Sequence, residues 1–389
     1  MGAFFLSVHL VSLLVGMFLL VLKKPLAKVA KPRGDESAVQ ASHVGNPLRI
    51  GGVAVLFATV LAAAFGGLPS NGAPEALLLL SSVPVVLAGL AEDFGYHVSP
   101  RGRLVAAFVS AALAVYLLGA WAPRADLPGL DWAMAVPVIA ILVTLIFSAG
   151  FCHAVNLIDG MNGLAVAVVT TSALGFAAVG ELAAQPDLAA FAILLAAATS
   201  GFLLLNWPRA RMFLGDAGAY GLGHLLIWLA ILLVWRSEAV AVPAMLLILF
   251  WPLADLSHTI TRRAIVRVSI LQPDRMHLHQ KVRRMLDIIW FGYRGRFRSN
   301  PMTTLIMLPF IALPVISGVL FWNRPWAAWV ALGVLLLAFA GAHLCITPLA
   351  RRFRRSSAGA WSESTGAGDG PPLKMQKRVG AGLREKRAR

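Results

Sequence analysis

The chain has 389 residues, 58% of them apolar and only 13% charged, against about 45–50% and about 25% in ordinary soluble domains. Polarity this low excludes a disordered chain, and the two cysteines, Cys152 and Cys345, exclude a disulfide scaffold. The net charge of +16 would suggest nucleic acid on a soluble protein; in a chain of long uncharged runs it is read through membrane topology instead, and no nucleic-acid partner is expected.

In chain order, apolar runs near the roughly 20 residues that cross a bilayer occupy 3–22, 50–68, 74–91, 104–122, 132–151, 163–179, 188–205, 219–235, 239–255, 303–322 and 326–348. They predict an all-α, polytopic integral membrane protein of about eleven transmembrane helices. The first run lacks a basic stretch before it and a small-residue cleavage site after it, and Lys23 and Lys24 follow. It reads as a retained helix with its N-terminus outside rather than a signal peptide.

That choice places 23–49, 92–103, 152–162, 206–218, 256–302 and 349–389 in the cytoplasm. Of the 34 Lys and Arg residues, only Arg124, Arg236 and Arg324 then fall in outer loops, a strong positive-inside bias. The expected organisation is a transmembrane domain over 1–348, with its chemistry in the cytoplasmic loops, and a basic, disordered cytoplasmic tail over 349–389. Arg351, Arg352, Arg354 and Arg355 are expected against anionic headgroups. No internal repeat of the transporter kind is evident.

The acids collect on the side that the basic residues mark as cytoplasmic. Glu92 and Asp93 end the third run, Asn156 and Asp159 follow the fifth, Asp216 precedes the eighth and Asp255 ends the ninth. Carboxylates at membrane depth are costly and usually functional, and several at one height repel unless a cation neutralises them. Oxygen-only ligands suit Mg²⁺, with Mn²⁺ as the alternative. Gly160, Gly163, Gly215 and Gly218 flank the acids, marking turns where backbone can approach a phosphate. In the 256–302 loop, Gln272-Pro-Asp-Arg-Met-His-Leu-His-Gln280 gathers Asp274, Arg275, His277 and His279; arginine grips phosphate bidentately, and two histidines two apart in an extended segment face one way.

Five motifs in order are similar to those of the polyprenyl-phosphate N-acetylhexosamine-1-phosphate transferases: Pro47-Leu-Arg-Ile-Gly-Gly52; Glu92-Asp93 with Pro100 and Arg103; Asn156-Leu-Ile-Asp-Gly-Met-Asn-Gly-Leu-Ala165; Asn206 ahead of Phe213-Leu-Gly-Asp216; and His277-Leu-His279. The resemblance implies transfer of a sugar-1-phosphate, N-acetylglucosamine-1-phosphate first among candidates, from a UDP-N-acetylhexosamine to undecaprenyl phosphate, with release of UMP. It implies Mg²⁺ held by Asp216 and Asn156, catalytic roles for Asp93, Glu92, Asp159 and Asp216, and substrate binding by Asn156, Asn162, Asn206, Arg103, Arg275, His277 and His279. The implied setting is the bacterial inner membrane with the site on its cytoplasmic face, in contact with membrane lipid, and a homodimer is a further expectation. This chain has Glu92 where the family usually has Asp, and Asn162 where the muramoyl-pentapeptide branch has Asp. A phospho-N-acetylmuramoyl-pentapeptide transferase remains the alternative within the family; an inactive scaffold and a transporter are the alternatives outside it.

Overall fold

The computed structural model describes residues 2–29, 47–65, 73–268, 276–291 and 296–364. These residues form helices α1 (Gly2–Val21), α2 (Lys23–Val29), α3 (Gly51–Phe65), α4 (Ala73–Asp93), α5 (Pro100–Leu118), α6 (Leu130–Met134), α7 (Pro137–Ile158), α8 (Leu164–Leu182), α9 (Pro186–Asn206), α10 (Gly215–Arg236), α11 (Val242–Ile248), α12 (Phe250–Val266), α13 (Leu278–Leu286), α14 (Arg296–Leu320) and α15 (Pro325–Ser364), with a π-helical turn over Asp287–Phe291. Among the described residues the only extended pairing is an isolated parallel bridge between Leu48 and Met212. Among the described residues nine helices are long and apolar enough to cross a membrane, which makes the protein a multi-pass helical membrane protein.

The element boundaries differ from the sequence expectation where polar residues join helices. The helix expected over 132–151 begins at Pro137 and runs on to Ile158, so Asn156 is helical rather than in the following loop. The helix expected from 219 begins at Gly215, which puts Asp216 in its first turn. The run at 239–255 is not one straight span: α11 and α12 meet at an 87° bend, and Asp255 lies inside α12 rather than at a span's end. Pro252 has no N–H for the carbonyl of Ile248; Ser172 Oγ donates to that carbonyl instead (2.8 Å), as a proline break buried in protein requires. The apolar helix α3 covers Gly51–Phe65 of the run expected over 50–68, and 66–68 lie outside the described residues. Helix α15 continues to Ser364, past the start of the expected disordered tail; the expectation for 365–389 lies outside the described residues.

Helix α10 is the axis of the bundle. Every residue from Gly215 to Val234 is buried, and α3, α4, α7, α8, α9 and α5 all pack on it. Glycines set how closely they approach. A Cβ on Gly52 of α3 would stand 2.1 Å from the Gly218 Cα, and one on Gly89 of α4 would stand 2.5 Å from the Ala217 N. Small residues at such crossings are what lets membrane helices touch backbone to backbone. At the far end of α10, Arg124 donates to the carbonyls of Glu238 (2.9 Å) and Val240 (2.8 Å). At the near end these glycine crossings bring the start of α3 and the end of α4 onto the first turn of α10, and that turn carries Asp216.

Candidate active site

The first N–H groups of a helix have no partner within it, and α10 has no local side-chain cap at Leu214. The cap comes from two distant acids. Asp93, the last residue of α4, accepts the Asp216 N–H on Oδ1 (2.8 Å) and the Ala217 N–H on Oδ2 (2.9 Å). Asp159, in the turn after α7, accepts the Gly215 N–H on Oδ2 (3.0 Å). Negative charge there is favoured by the helix dipole. Gly215 makes the turn with φ 75°, and a Cβ on it would stand 1.9 Å from the Arg49 carbonyl oxygen, so no other residue fits.

Asp216 points back among these groups. Its Oδ2 is ion-paired with Arg103, and its Oδ1 accepts from Asn156 Nδ2 (3.1 Å). Arg103 Nη1 also stands 3.9 Å from Glu92 Oε1. Arg103 is aimed by the start of α5: Pro100 opens the helix and the Ser99 side chain accepts the Gly102 N–H (3.1 Å), a regular N-terminal arrangement. The guanidinium is therefore the counter-charge of a cluster containing Glu92 and Asp216. Burial pushes the Asp159 carboxyl up to about 7, while the Arg49 guanidinium and the Gly215 N–H pull it the other way.

The turn between α7 and α8 is held from three sides. Asn206, at the end of α9, accepts the Gly163 N–H on Oδ1 (2.7 Å) and donates to the Met212 carbonyl (2.6 Å). Asn162 Nδ2 donates to the Pro208 carbonyl (2.7 Å). Helix α14 supplies the third side through Asn300 and Thr304. In a second cluster, His277 Nδ1 donates to Asp255 Oδ2 (2.7 Å), and the His277 and His279 rings stack with centroids 5.4 Å apart. Burial holds His279 down at about 4, so its ring is neutral near pH 7.

Of the residues singled out from sequence, Glu92, Asp93, Arg103, Asn156, Asp159 and Asp216 meet at the start of α10, Asn162 and Asn206 brace the adjoining turn, and His277 and His279 share the Asp255 cluster. Arg275 lies outside the described residues. Sequence reasoning gave no role to Arg49, although it stands inside the Pro47–Gly52 motif, nor to His153, whose ring meets Tyr220 edge-on at 4.9 Å. It also missed Asn300 and Thr304, which carry no motif.

For a divalent cation the donor chemistry fits. The cluster offers oxygen ligands, and Asp159 Oδ1 is buried with no hydrogen-bond partner among the described residues. A positive group, Arg103, already sits on Asp216. Among the described residues no three His, Cys, Asp or Glu side chains are grouped to hold a metal by themselves.

Residues 76–234 match the model of glycosyl transferase family 4. The chain is 30% identical over 241 residues to a phospho-N-acetylmuramoyl-pentapeptide-transferase of Heliobacterium modesticaldum, covering 59% of this chain and 73% of that one. The chain belongs to glycosyl transferase family 4. It is also 25% identical over 281 residues to a probable undecaprenyl-phosphate N-acetylglucosaminyl 1-phosphate transferase of Bacillus subtilis, with 70% of this chain and 76% of that one covered. Identity is 27% over 331 residues to the undecaprenyl-phosphate alpha-N-acetylglucosaminyl 1-phosphate transferase of Escherichia coli, covering 82% and 85%. The family match contains Glu92, Asp93, Arg103, Asn156, Asp159, Asn162, Asn206 and Asp216; the His277–His279 segment and α14 lie beyond it.

Proposed function

We propose that this chain is a polyprenyl-phosphate sugar-1-phosphate transferase, a phosphotransferase that moves N-acetylglucosamine-1-phosphate from the UDP-sugar to undecaprenyl phosphate and releases UMP. The product would start a lipid-linked glycan such as an O-antigen, a capsule or a cell-wall polymer. The observation that carries the reading is the meeting of Asp93, Asp159, Asp216, Arg103 and Asn156 at the buried start of α10, within the family-matched residues. The names of the Bacillus subtilis and Escherichia coli relatives support the sugar and the lipid. The Heliobacterium modesticaldum relative favours muramoyl-pentapeptide as the second reading, against which stands Asn162 in place of that branch's Asp.

Both reactants are anionic, so the barrier is largely charge repulsion, and catalysis is positioning with electrostatic stabilisation. Asp216 and Asn156 would hold Mg²⁺, or Mn²⁺ in its place. The ion supplies counter-charge to the diphosphate when bound. Arg103 supplies a second positive charge at the same carboxylate. Asp93 spends both oxygens on backbone N–H groups, which suits orientation of the first turn of α10 rather than proton removal; a phosphate monoester, with a second pKa near 6, hardly needs a base. Glu92, Asp159 and Asn162 then line the approach of the reactants, with His277 and His279 serving the sugar nucleotide.

The remaining elements of the reading follow from charge. If α3 and the bent α11–α12 pair each cross the membrane with the nine long helices, the eleven-span plan results, and the positive-inside bias puts the site on the cytoplasmic face of the bacterial inner membrane. Homodimer formation belongs to the same proposal. The test is UMP release by the purified protein in detergent with undecaprenyl phosphate, across a panel of UDP-sugars, with and without Mg²⁺. Release with UDP-N-acetylglucosamine is the expected result; release only with the muramoyl-pentapeptide donor selects the second reading, and no release with any donor defeats both.

A further inference from the structure

The turn between α7 and α8 carries Asp159 and Asn162, yet its backbone is fixed by a helix more than a hundred residues away. Asn300 Oδ1 accepts the Asn162 N–H (2.9 Å). Thr304 Oγ1, one helical turn further along α14, donates to the Asn162 carbonyl (2.6 Å). Both polar groups of one peptide residue are thus held by two side chains on one face of α14. The contact is dry: Asn162 is 7% exposed, Asn300 2% and Thr304 6%. Water cannot replace a partner there, and an unpaired buried N–H or C=O is costly.

Two further contacts lock the same joint. Trp207 Nε1 donates to the Pro301 carbonyl (3.2 Å), and the Trp207 side chain packs on Gly163, where a Cβ would come within 2.9 Å of it. The turn is therefore gripped between α14 and the segment after α9. The Asp159 end of this turn reaches the Gly215 N–H, so the joint connects α14 to the start of α10.

We propose that Asn300 and Thr304 are positioning residues for the reaction. They hold the Asp159–Gly163 turn in the shape that receives the sugar nucleotide, which makes α14, outside the family-matched residues, part of the catalytic apparatus. Their action is indirect, through the backbone of Asn162; neither side chain need touch substrate. The kinetic part of the inference rests on the proposed transferase reading, and the structural part does not.

The experiment compares Thr304→Val, which keeps the shape and removes the hydroxyl, with Thr304→Ser, which restores it, and with Asn300→Ala. For Thr304→Val the KM for the UDP-sugar should rise about ten-fold, with the KM for undecaprenyl phosphate unchanged; Thr304→Ser should be near wild type. Hydrogen–deuterium exchange is measured on the same samples without substrate. Amides of 159–163 should exchange faster in Thr304→Val and Asn300→Ala, and at the wild-type rate in Thr304→Ser. Unchanged exchange in both removal variants overturns the grip. Equal movement of both KM values, or failure of serine to rescue, overturns the positioning role. A wild-type protein that releases no UMP refutes the transferase reading alone, and the exchange result then still decides the grip.

Discussion

Asp93, the last residue of α4, accepts the backbone N–H of Asp216, the second residue of α10, at 2.8 Å. One acid thereby caps the helix that presents another. Two carboxylates this close repel, and the arrangement is sustained by the N–H groups and helix dipole on one side and by Arg103 on the other. The cost of assembling the site is met by the α10 terminus and Arg103 together.

Replacing Asp216 by Asn keeps the size and one acceptor but removes the charge that Arg103 meets. UMP release should fall at least a hundred-fold, about 2.7 kcal/mol in barrier, while size-exclusion profile and thermal midpoint in detergent stay near wild type. Activity above a tenth of wild type would show that Asp216 is not essential.

Asp93 should behave differently, because it is structural as well as chemical. Asp93→Ala leaves two N–H groups at the start of α10 without their acceptor. Loss of these charge-assisted bonds should cost about 3 kcal/mol, seen as a lower thermal midpoint, together with lost activity. Asp93→Asn, which keeps one oxygen acceptor, should lie between Asp93→Ala and wild type in midpoint. Equal midpoints for all three would refute the cap.

The crossing of α3 on α10 gives a prediction independent of the chemistry. In Gly52→Ala the new methyl would meet the Gly218 Cα, a backbone atom 2.1 Å away, so the helices must separate. Overpacking of this kind costs about 1–3 kcal/mol. Both the midpoint and activity should drop, since Arg49 and the start of α10 move with α3; a wild-type midpoint would mean the crossing is not tight.

His279 predicts a pH dependence. Its folded value is about 4, below an ordinary histidine at about 6.5, so the unfolded chain binds more protons between these values. Stability from this group is complete above about pH 6.5 and is lost as pH falls toward 4. Asp159, raised to about 7, has the opposite slope between about pH 4 and 7. The comparison is therefore made with His279→Gln at each pH: the variant should lose less midpoint than wild type between pH 6.5 and 4.5. Parallel curves would remove His279 as the source.

Chelation tests the cation. Treatment with EDTA should abolish UMP release, and added Mg²⁺ or Mn²⁺ should restore it. Full activity of the chelated protein would discard the ion and leave Arg103 as the counter-charge at Asp216.

The sequence by itself determined the solvent and the family. Apolar run length is local and sets which segments are membrane helices, and acids placed at the ends of such runs are too costly to be incidental. It also set Asn156, Asp159 and Asp216 within one recognisable series of motifs. Tertiary structure alone decided how they are used. That Asp93 caps α10, that Arg103 pairs with Asp216, that Ser172 takes the carbonyl freed by Pro252, and that Asn300 and Thr304 grip Asn162 are bonds between residues 76 to 142 positions apart. Hydrophobic pattern carries no record of such pairings. They exist because the helices pack closely, through glycine crossings where α3 and α4 meet α10, and most polar groups buried there find a partner across the bundle.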